Sequence, residues 1–226
     1  MKSKSYNEQE VLNLARQAYS EGQAKFGIVP EKCALLVIDM QEEFVKPGWT
    51  PYWIPESTRQ VNSIKSLIEF CRSKHIPVIY TAFGPTNRFL DRPKTGESMP
   101  NRYAEVGIDH FSWFKEPKIC SELAPQQNDL VILKPSYGAF YDTPLETILK
   151  NLDKDTVIIC GTLTNFCCST TARQAYERGF KVVFGSDVTS TDDPAMQEPE
   201  LRVLRKGFAR VLSQAQIIEA LRSVSR

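Results

Sequence analysis

Runs of apolar, β-branched residues alternate along the chain with segments whose apolar positions repeat every three or four residues. The apolar runs predict six buried strands, at 34–39, 77–83, 130–133, 156–160, 181–184 and 209–212. The intervening segments predict helices at 58–74, 143–151, 166–178, 194–206 and 214–223. This alternation predicts an α/β fold in which a mostly parallel six-stranded sheet is covered by helices on both faces.

The N-terminal segment departs from this alternation, because residues 7–20 predict an additional helix. Asn7 and Glu10 have the spacing of a capping box. The helix has an apolar stripe that needs a docking surface, formed by Val11, Leu14, Ala15 and Ala18. We therefore predict a helical extension at 1–29 and a single domain at 30–226.

A second departure is the stretch 84–118, which is rich in Pro, Gly, Arg and aromatic residues and has weak periodicity. Long irregular segments in a compact domain are usually functional. We expect this insertion to serve as a lid or to line a site.

Composition narrows the classes of protein that need to be considered. The chain has 226 residues, 42% of them hydrophobic and 24% charged, as in a protein with one sizeable core. Its net charge of +1 gives no reason to expect a nucleic-acid or membrane partner. It has no apolar run long enough for a membrane span, and the first residues, MKSKSYNEQE, lack the apolar region of a secretory signal.

Six cysteines are present but no CxxC pair, namely Cys33, Cys71, Cys120, Cys160, Cys167 and Cys168. A chain of this size with an adequate core does not need disulfides, so we expect a reduced, cytoplasmic protein. Most of these thiols are expected to be packing residues.

Three residues that can carry chemistry follow three different predicted strands. Asp39 ends the first strand, Lys134 follows the third, and the fourth leads through Gly161 to Cys167. Sites in parallel sheets form beyond the carboxyl ends of the strands, so these side chains meet in one crevice if the strands are neighbours. A thiol at a helix start, a carboxylate to take its proton and a lysine to stabilise negative charge would make a cysteine nucleophile.

Each of these residues also has an ordinary structural interpretation. An Asp after a strand is often a cap or turn residue, a Lys there is often solvated, and a Cys in a helix is usually in the core. Spacing alone leaves the two interpretations about equally favoured.

The motifs around these residues resemble those of the isochorismatase-like cysteine hydrolases. The pattern G-x-x-T-x-x-C-x-x-x-T-A-x-x-A is matched by Gly161, Thr164, Cys167, Thr171, Ala172 and Ala175. LLVIDMQEEF resembles the first-strand motif and LKPSYGAF the lysine motif; with GSDVTST after the next strand, the resemblance covers roughly 30–220.

The resemblance implies a Rossmann-like three-layer fold and a catalytic triad of Asp39, Lys134 and Cys167. It also implies a non-proline cis peptide at Thr162–Leu163, with the N–H groups of Leu163 and Cys167 forming an oxyanion hole. The family commonly assembles, so a homo-oligomer, dimer or tetramer, is expected. Cys168 stands where the family usually has Val and is interpreted as a packing residue; a redox role for the vicinal pair is a weaker alternative.

The resemblance also bears on the substrate. Nicotinamidases of the family have a metal site with an Asp-x-His element after the second strand, whereas this chain reads TAFGPTN there. Two isolated histidines, His75 and His110, do not favour a metal site, so we expect no metal and no cofactor. True isochorismatases lack the nucleophilic cysteine.

The branch that remains is the one similar to N-carbamoylsarcosine amidohydrolase. It implies cleavage of a C–N bond in a small amide, carbamoyl or ureido compound through a thioester, with release of ammonia. Two alternatives stay open: a non-amide substrate on the same fold, and a non-catalytic, partner-binding protein.

Substrate contacts are less well defined by the sequence. The candidates are aromatic residues of the motifs and loops with one motif threonine and one arginine, namely Phe44, Trp49, Phe83, Tyr137, Phe140, Thr164 and Arg205. Further candidates are Tyr52, Trp53 and Trp113 for an apolar wall, and Arg88, Arg92 and Arg202 for a substrate carboxylate. About half or more of the aromatics are expected to be ordinary core or interface residues.

Overall fold

The computed structural model describes residues 5–95, 114 and 116–222, and its centre is one six-stranded sheet. The strands are β1 (Cys33–Ile38), β2 (Val78–Phe83), β3 (Leu130–Lys134), β4 (Thr156–Thr162), β5 (Lys181–Ser190) and β6 (Arg210–Leu212). Every neighbouring pair is parallel, in the order β3-β2-β1-β4-β5-β6. The predicted fold class is confirmed, and this strand order is that of a Rossmann-type sheet.

Helices precede, connect and follow the strands. They are α1 (Glu8–Glu21), α2 (Glu42–Val45), α3 (Pro55–Ser73), α4 (Leu145–Asn151), α5 (Ser169–Glu177), α6 (Gln197–Gly207) and α7 (Gln214–Arg222). The short helix α2 was not predicted from the sequence. A single turn of π-helix, Thr164–Cys168, precedes α5, so the predicted helix at 166–178 begins later than expected.

The two faces of the sheet build two separate cores. All six residues of β1 are buried, and alternate side chains point to opposite faces. Leu35 and Val37 pack in one core with residues of α3 and α7, whereas Leu36 and Ile38 pack in the other with residues of α4, α5 and α6. The continuous apolar runs of the sequence are therefore strands that are covered on both faces.

The N-terminal helix is present with the predicted cap. The Asn7 side chain accepts from the Glu10 backbone N–H, and the Glu10 carboxylate accepts from the Asn7 backbone N–H. The helix contacts α6, where the Lys206 ammonium lies 3.9 Å from the centre of the Tyr19 ring. Two residues of its predicted stripe, Val11 and Leu14, remain 51% and 55% exposed. The division into an extension and a domain stays a prediction.

The predicted insertion returns to the sheet close to the end of β1. Ile119 forms an antiparallel bridge with Gln41, and the Glu42 amide donates to the Lys118 carbonyl. The segment GSDVTST also differs from the prediction, because most of it continues β5 rather than following it. Among the described helices, none is long and apolar enough to cross a membrane.

Gly161 allows β4 to lie close to β1 just before the turn at 162–168 that carries Cys167, which we call the nucleophile turn. Its φ is +118°, and a Cβ at this position would lie 2.0 Å from the Ile38 carbonyl oxygen. We predict that Gly161→Ala lowers the free energy of unfolding by about 2 kcal/mol or more, because both the backbone angle and the strand contact are violated.

Urea denaturation checks this prediction. Gly27→Ala is the matched control, because a Cβ there meets no heavy atom within 4 Å and the backbone angle is unexceptional. Equal denaturation midpoints for the two variants would contradict the argument.

Candidate active site

A buried ion pair lies at the carboxyl edge of the sheet. Asp39 directly follows β1, and Lys134 ends β3, two strands away. The Lys134 Nζ atom lies 2.7 Å from Asp39 Oδ2, and both side chains are 0% exposed. The two charges predicted to meet therefore do so, across the end of the strand β2 that lies between them.

Lys134 is held in its charged form by its neighbours. Burial by itself lowers the pKa of Lys134, but the charge of Asp39, together with the polar contacts to Asp39 and Cys167, outweighs this effect, so the net shift of the pKa is upward. The ammonium also donates to the Ser136 carbonyl at 2.9 Å and lies 5.6 Å from the centre of the Phe83 ring.

Asp39 is fixed by β2 from its other side. Its φ is +48°, and its backbone N–H donates to both the carbonyl and the hydroxyl of Thr81, at 3.2 and 3.3 Å. The Thr81 hydroxyl in turn donates to Asp39 Oδ1 at 2.7 Å. The end of β2 is held as well, because the Gln41 side chain forms hydrogen bonds with both the N–H and the C=O of Phe83, at 2.7 and 3.0 Å.

The Cys167 thiol reaches this ion pair from the nucleophile turn. Its side chain lies close enough to Asp39 and Lys134 for both to act on the pKa of the thiol. Burial raises the pKa of the Cys167 thiol to about 12; the charge of Lys134 lowers it and that of Asp39 raises it. Desolvation therefore dominates, and the thiol of the free protein is neutral until a base takes its proton.

The backbone before Cys167 has the conformation that the resemblance implied. The peptide bond Thr162–Leu163 is cis. The Leu163 carbonyl accepts from the amides of Phe166 and Cys168, at 3.2 and 3.0 Å. Between described residues, no hydrogen bond is donated by the Leu163 amide. It remains a candidate oxyanion donor together with the amide of Cys167.

Hydroxyl groups hold this turn in place through hydrogen bonds to neighbouring elements. The Thr162 hydroxyl donates to the Ser190 carbonyl at 3.3 Å, and the Ser190 hydroxyl lies 2.7 Å from that of Ser57 near the start of α3. Thr191 donates to the Asn165 side chain at 2.8 Å. The ends of β4 and β5 and the first turn of α3 are thereby joined around the nucleophile turn.

The vicinal cysteines have different surroundings. Both belong to the core between the sheet and the helices α4, α5 and α6, but Cys167 is 5% exposed and lines a cavity, whereas Cys168 is 0% exposed. Burial raises the pKa of Cys168 well above its ordinary value. The position of Cys168 matches the predicted packing role.

The cavity in front of Cys167 has a volume of about 130 Å³ and mostly apolar walls. Its described lining consists of Phe44, Tyr52, Ile54, Phe83, Arg92, Phe114, Tyr137, Leu163, Phe166, Cys167 and Asp192. Five of these side chains were predicted to contact substrate from the sequence: Phe44, Tyr52, Phe83, Arg92 and Tyr137. The cavity therefore suits a small molecule with limited polar surface.

Phe114 joins the aromatic wall. Its ring centre lies 5.3 Å from those of Phe44 and Tyr52 and 5.2 Å from that of Phe83. Sequence reasoning missed Phe114, as it missed Ile54, Phe166 and Asp192. Phe114 lies in the aperiodic insertion, where no pattern in the sequence marks it. Phe166 is adjacent to Cys167, and this adjacency could have identified it.

Four of the predicted substrate contacts lie outside the described wall of the cavity, and these expectations are corrected. Trp49 is 44% exposed beneath the Lys46 ammonium, and Arg205 pairs with Glu198 on α6. The Phe140 ring packs on Phe180, 5.7 Å away, in the core. Thr164 is fully buried within the π-helical turn. Motif membership does not determine in which direction a side chain points.

The remaining candidates for substrate contacts and metal ligands were less strongly indicated by the sequence. Trp53 donates its indole N–H to Thr58 at 2.9 Å, and Arg88 and Arg202 are exposed. Trp113 and His110 lie outside the described residues. His75 is exposed, as expected, and the described part of the chain contains no cluster of three or more metal-ligating side chains.

Comparison with known proteins agrees with this geometry. Residues 33–216 match the isochorismatase domain. The chain belongs to the isochorismatase family. Nicotinamidase 3 of Arabidopsis thaliana is 32% identical over 183 residues, spanning 78% of this chain and 82% of that relative.

Solved structures of the isochorismatase family share the fold. A cysteine hydrolase from Pseudomonas syringae pv. phaseolicola 1448A superposes with a TM-score of 0.78 at 28% identity, covering 91% of this chain and all of the other. N-carbamoylsarcosine amidase from Thermoplasma acidophilum superposes with a TM-score of 0.63 at 26% identity, covering 81% and 96%.

The charge of Lys134 should control the reactivity of Cys167 in this family member. We predict that Lys134→Met slows alkylation of Cys167 by iodoacetamide about tenfold or more, because loss of the cation raises the pKa of the thiol further. In the wild type the rate should rise with pH between 7 and 10, since the thiol pKa lies above that range. The variant should also lose about 3–5 kcal/mol of stability, because a buried carboxylate is left unpaired.

Peptide mass spectrometry assigns the alkylation to Cys167 rather than to another thiol. Lys150→Met is the control, because Lys150 also pairs with a carboxylate, at 2.6 Å, but on the exposed surface of α4. Alkylation of Cys167 at the wild-type rate in Lys134→Met would show that the ammonium does not act on the thiol.

Proposed function

We propose that this protein is a cysteine amidohydrolase that cleaves a C–N bond in a small amide, carbamoyl or ureido compound. One observation carries the proposal: the Cys167 thiol lies at a cavity, beside a fully buried Asp39–Lys134 ion pair that acts on its pKa. A thiol beside a base and a fixed cation is the arrangement of an activated acyl-transfer nucleophile.

In the first half of the reaction, Cys167 Sγ attacks the carbonyl carbon of the substrate while Asp39 accepts the thiol proton. The carbonyl oxygen becomes an oxyanion that the amides of Leu163 and Cys167 can stabilise. Collapse of this intermediate breaks the C–N bond, and Asp39 passes its proton to the departing nitrogen. The products are ammonia and a thioester on Cys167.

In the second half, Asp39 is again ionised and takes a proton from water as the oxygen attacks the thioester carbon. The C–S bond breaks, the proton returns to sulfur, and the acid product leaves. Lys134 keeps its proton throughout, because its pKa is raised, and it offsets the negative charge that moves between Asp39 and Cys167.

The presence of the thiol favours acyl chemistry over the cleavage of a vinyl ether, since a thioester can form only at an acyl carbon. Two relatives are named for amide hydrolysis, a nicotinamidase and an N-carbamoylsarcosine amidase. The cavity of about 130 Å³ is smaller than the ~300–1,000 Å³ of drug-sized sites, which favours a compact substrate.

The cellular compartment and the oligomeric state of the enzyme are part of the same proposal. All six cysteines are free, and the nucleophile needs a free thiol, so a reducing compartment such as the cytoplasm suits it. A homo-oligomer in which a second copy covers Val11 and Leu14 of α1 is also proposed.

The nucleophile can be tested against its neighbour. We predict that Cys167→Ala lowers the rate of ammonia release more than about 1,000-fold, whereas Cys168→Ala stays close to wild type. The rate is measured with a panel of benzamide, nicotinamide, aliphatic amides, ureido acids and carbamoyl amino acids, because the leaving group is ammonia in every case.

A trapped intermediate is the second readout. Rapid acid quenching followed by mass spectrometry should find the acyl group on the peptide that contains Cys167. Turnover that persists in Cys167→Ala, or turnover of wild type without any adduct on that peptide, would rule out the thioester mechanism.

A further inference from the structure

The two oxygens of the Asp39 carboxylate have different partners. Oδ2 faces the Lys134 ammonium, whereas Oδ1 accepts from the Thr81 hydroxyl at 2.7 Å. Thr81 is 0% exposed and lies within β2, where its backbone pairs with Ile38. We infer that Thr81 is a positioning residue for the proposed reaction, whose hydroxyl keeps the Asp39 carboxylate oriented toward Cys167. This inference rests on the proposed function, in which Asp39 is the base.

The direction of the hydrogen bonds follows from the groups present. The Asp39 backbone N–H can only donate, and it points at the Thr81 oxygen, 3.3 Å away. The hydroxyl is then an acceptor toward the backbone, and its one proton is directed at Oδ1. Asp39 Oδ1 is thereby tied to β2 through the side chain of Thr81.

The same contact restricts rotation of the carboxylate. With Oδ1 held by Thr81, Oδ2 remains beside Lys134, and the plane of the group cannot turn without breaking the bond to β2. General-base catalysis depends on such orientation, because the proton must travel along a short path from sulfur to oxygen. Thr81 does not line the described cavity wall, so it acts through Asp39 rather than on the substrate.

Other groups around Asp39 also act on its charge. Lys134 interacts with the Asp39 carboxylate from β3, and Cys167 does so from the nucleophile turn. The buried Cys168 thiol is close enough for the charge of Asp39 to raise its pKa. None of these groups is altered by a change at Thr81. Thr81→Val keeps the shape and the backbone hydrogen bond from Asp39 to the Thr81 carbonyl and removes only the hydroxyl.

The test is the pH dependence of Cys167 alkylation by iodoacetamide, with kcat and KM for any amide that the enzyme turns over. In Thr81→Val both profiles should lie about tenfold lower on their rising acid limb, because the carboxylate is no longer held where it can accept the thiol proton. We expect kcat to fall roughly 10- to 100-fold while KM changes little, since the contact serves proton transfer rather than binding. Thr81→Ser, which keeps the hydroxyl, should restore the profile.

Thr156→Val is the matched control. Thr156 is also a buried strand threonine that donates to a carboxylate, with 2.6 Å between its hydroxyl and Asp155 Oδ1, but at the opposite end of the sheet. It should leave the acid limb unchanged. If Thr81→Val does not fold, Thr81→Ala and Thr81→Ser form a second pair that differs only in the hydroxyl.

The outcomes separate this inference from the proposed function. A wild-type acid limb in Thr81→Val, or no difference between the Ala and Ser variants, overturns the role of Thr81 even where Cys167→Ala is inactive. Full activity of Cys167→Ala overturns the mechanism itself. The alkylation profile needs no substrate, so it tests the role of Thr81 in either case.

Discussion

The ion pair between Lys134 and Asp39 is the interaction on which the site depends, because both charges are fully removed from water. A buried ammonium or carboxylate alone would be costly by several kcal/mol, so neither charge is stable there without the other. The pair is possible because parallel strands direct their carboxyl ends to one edge of the sheet. The Cys167 thiol lies beside both charges and completes the cluster.

Burial of this cluster has opposite effects on its members. The same desolvation that strengthens the attraction between Lys134 and Asp39 raises the pKa of the Cys167 thiol to about 12. The resting nucleophile is therefore a thiol with a base beside it, rather than a thiolate waiting for substrate.

Sequence reasoning identified the strands and the three residues at their ends because apolar runs mark strands that are buried on both faces. It could not establish that β3 lies two strands from β1, since periodicity carries no information about strand order. It also could not separate Phe44, which lines the cavity, from the nearby Trp49, which lies on the surface. The difference arises from α2 and from packing against Phe114, a residue seventy positions further along the chain. Thr81 gave no signal because it lies inside a strand, where a threonine is ordinary.

The charged groups of the site and the walls of the cavity come from different parts of the fold. In the proposed reaction Asp39 and Cys167 exchange a proton, and Lys134 keeps its own. These groups are held by strand ends and by hydroxyls such as those of Thr81 and Thr162. The walls of the cavity instead include residues of α2, of the segment before α3, of the insertion and of the stretches after β3 and β5. Replacement of a wall residue leaves the ion pair intact, so the substrate can change while the reaction is retained. Because the walls and the ion pair come from different parts of the fold, variants of the wall residues are the ones that should reveal the substrate of the proposed reaction.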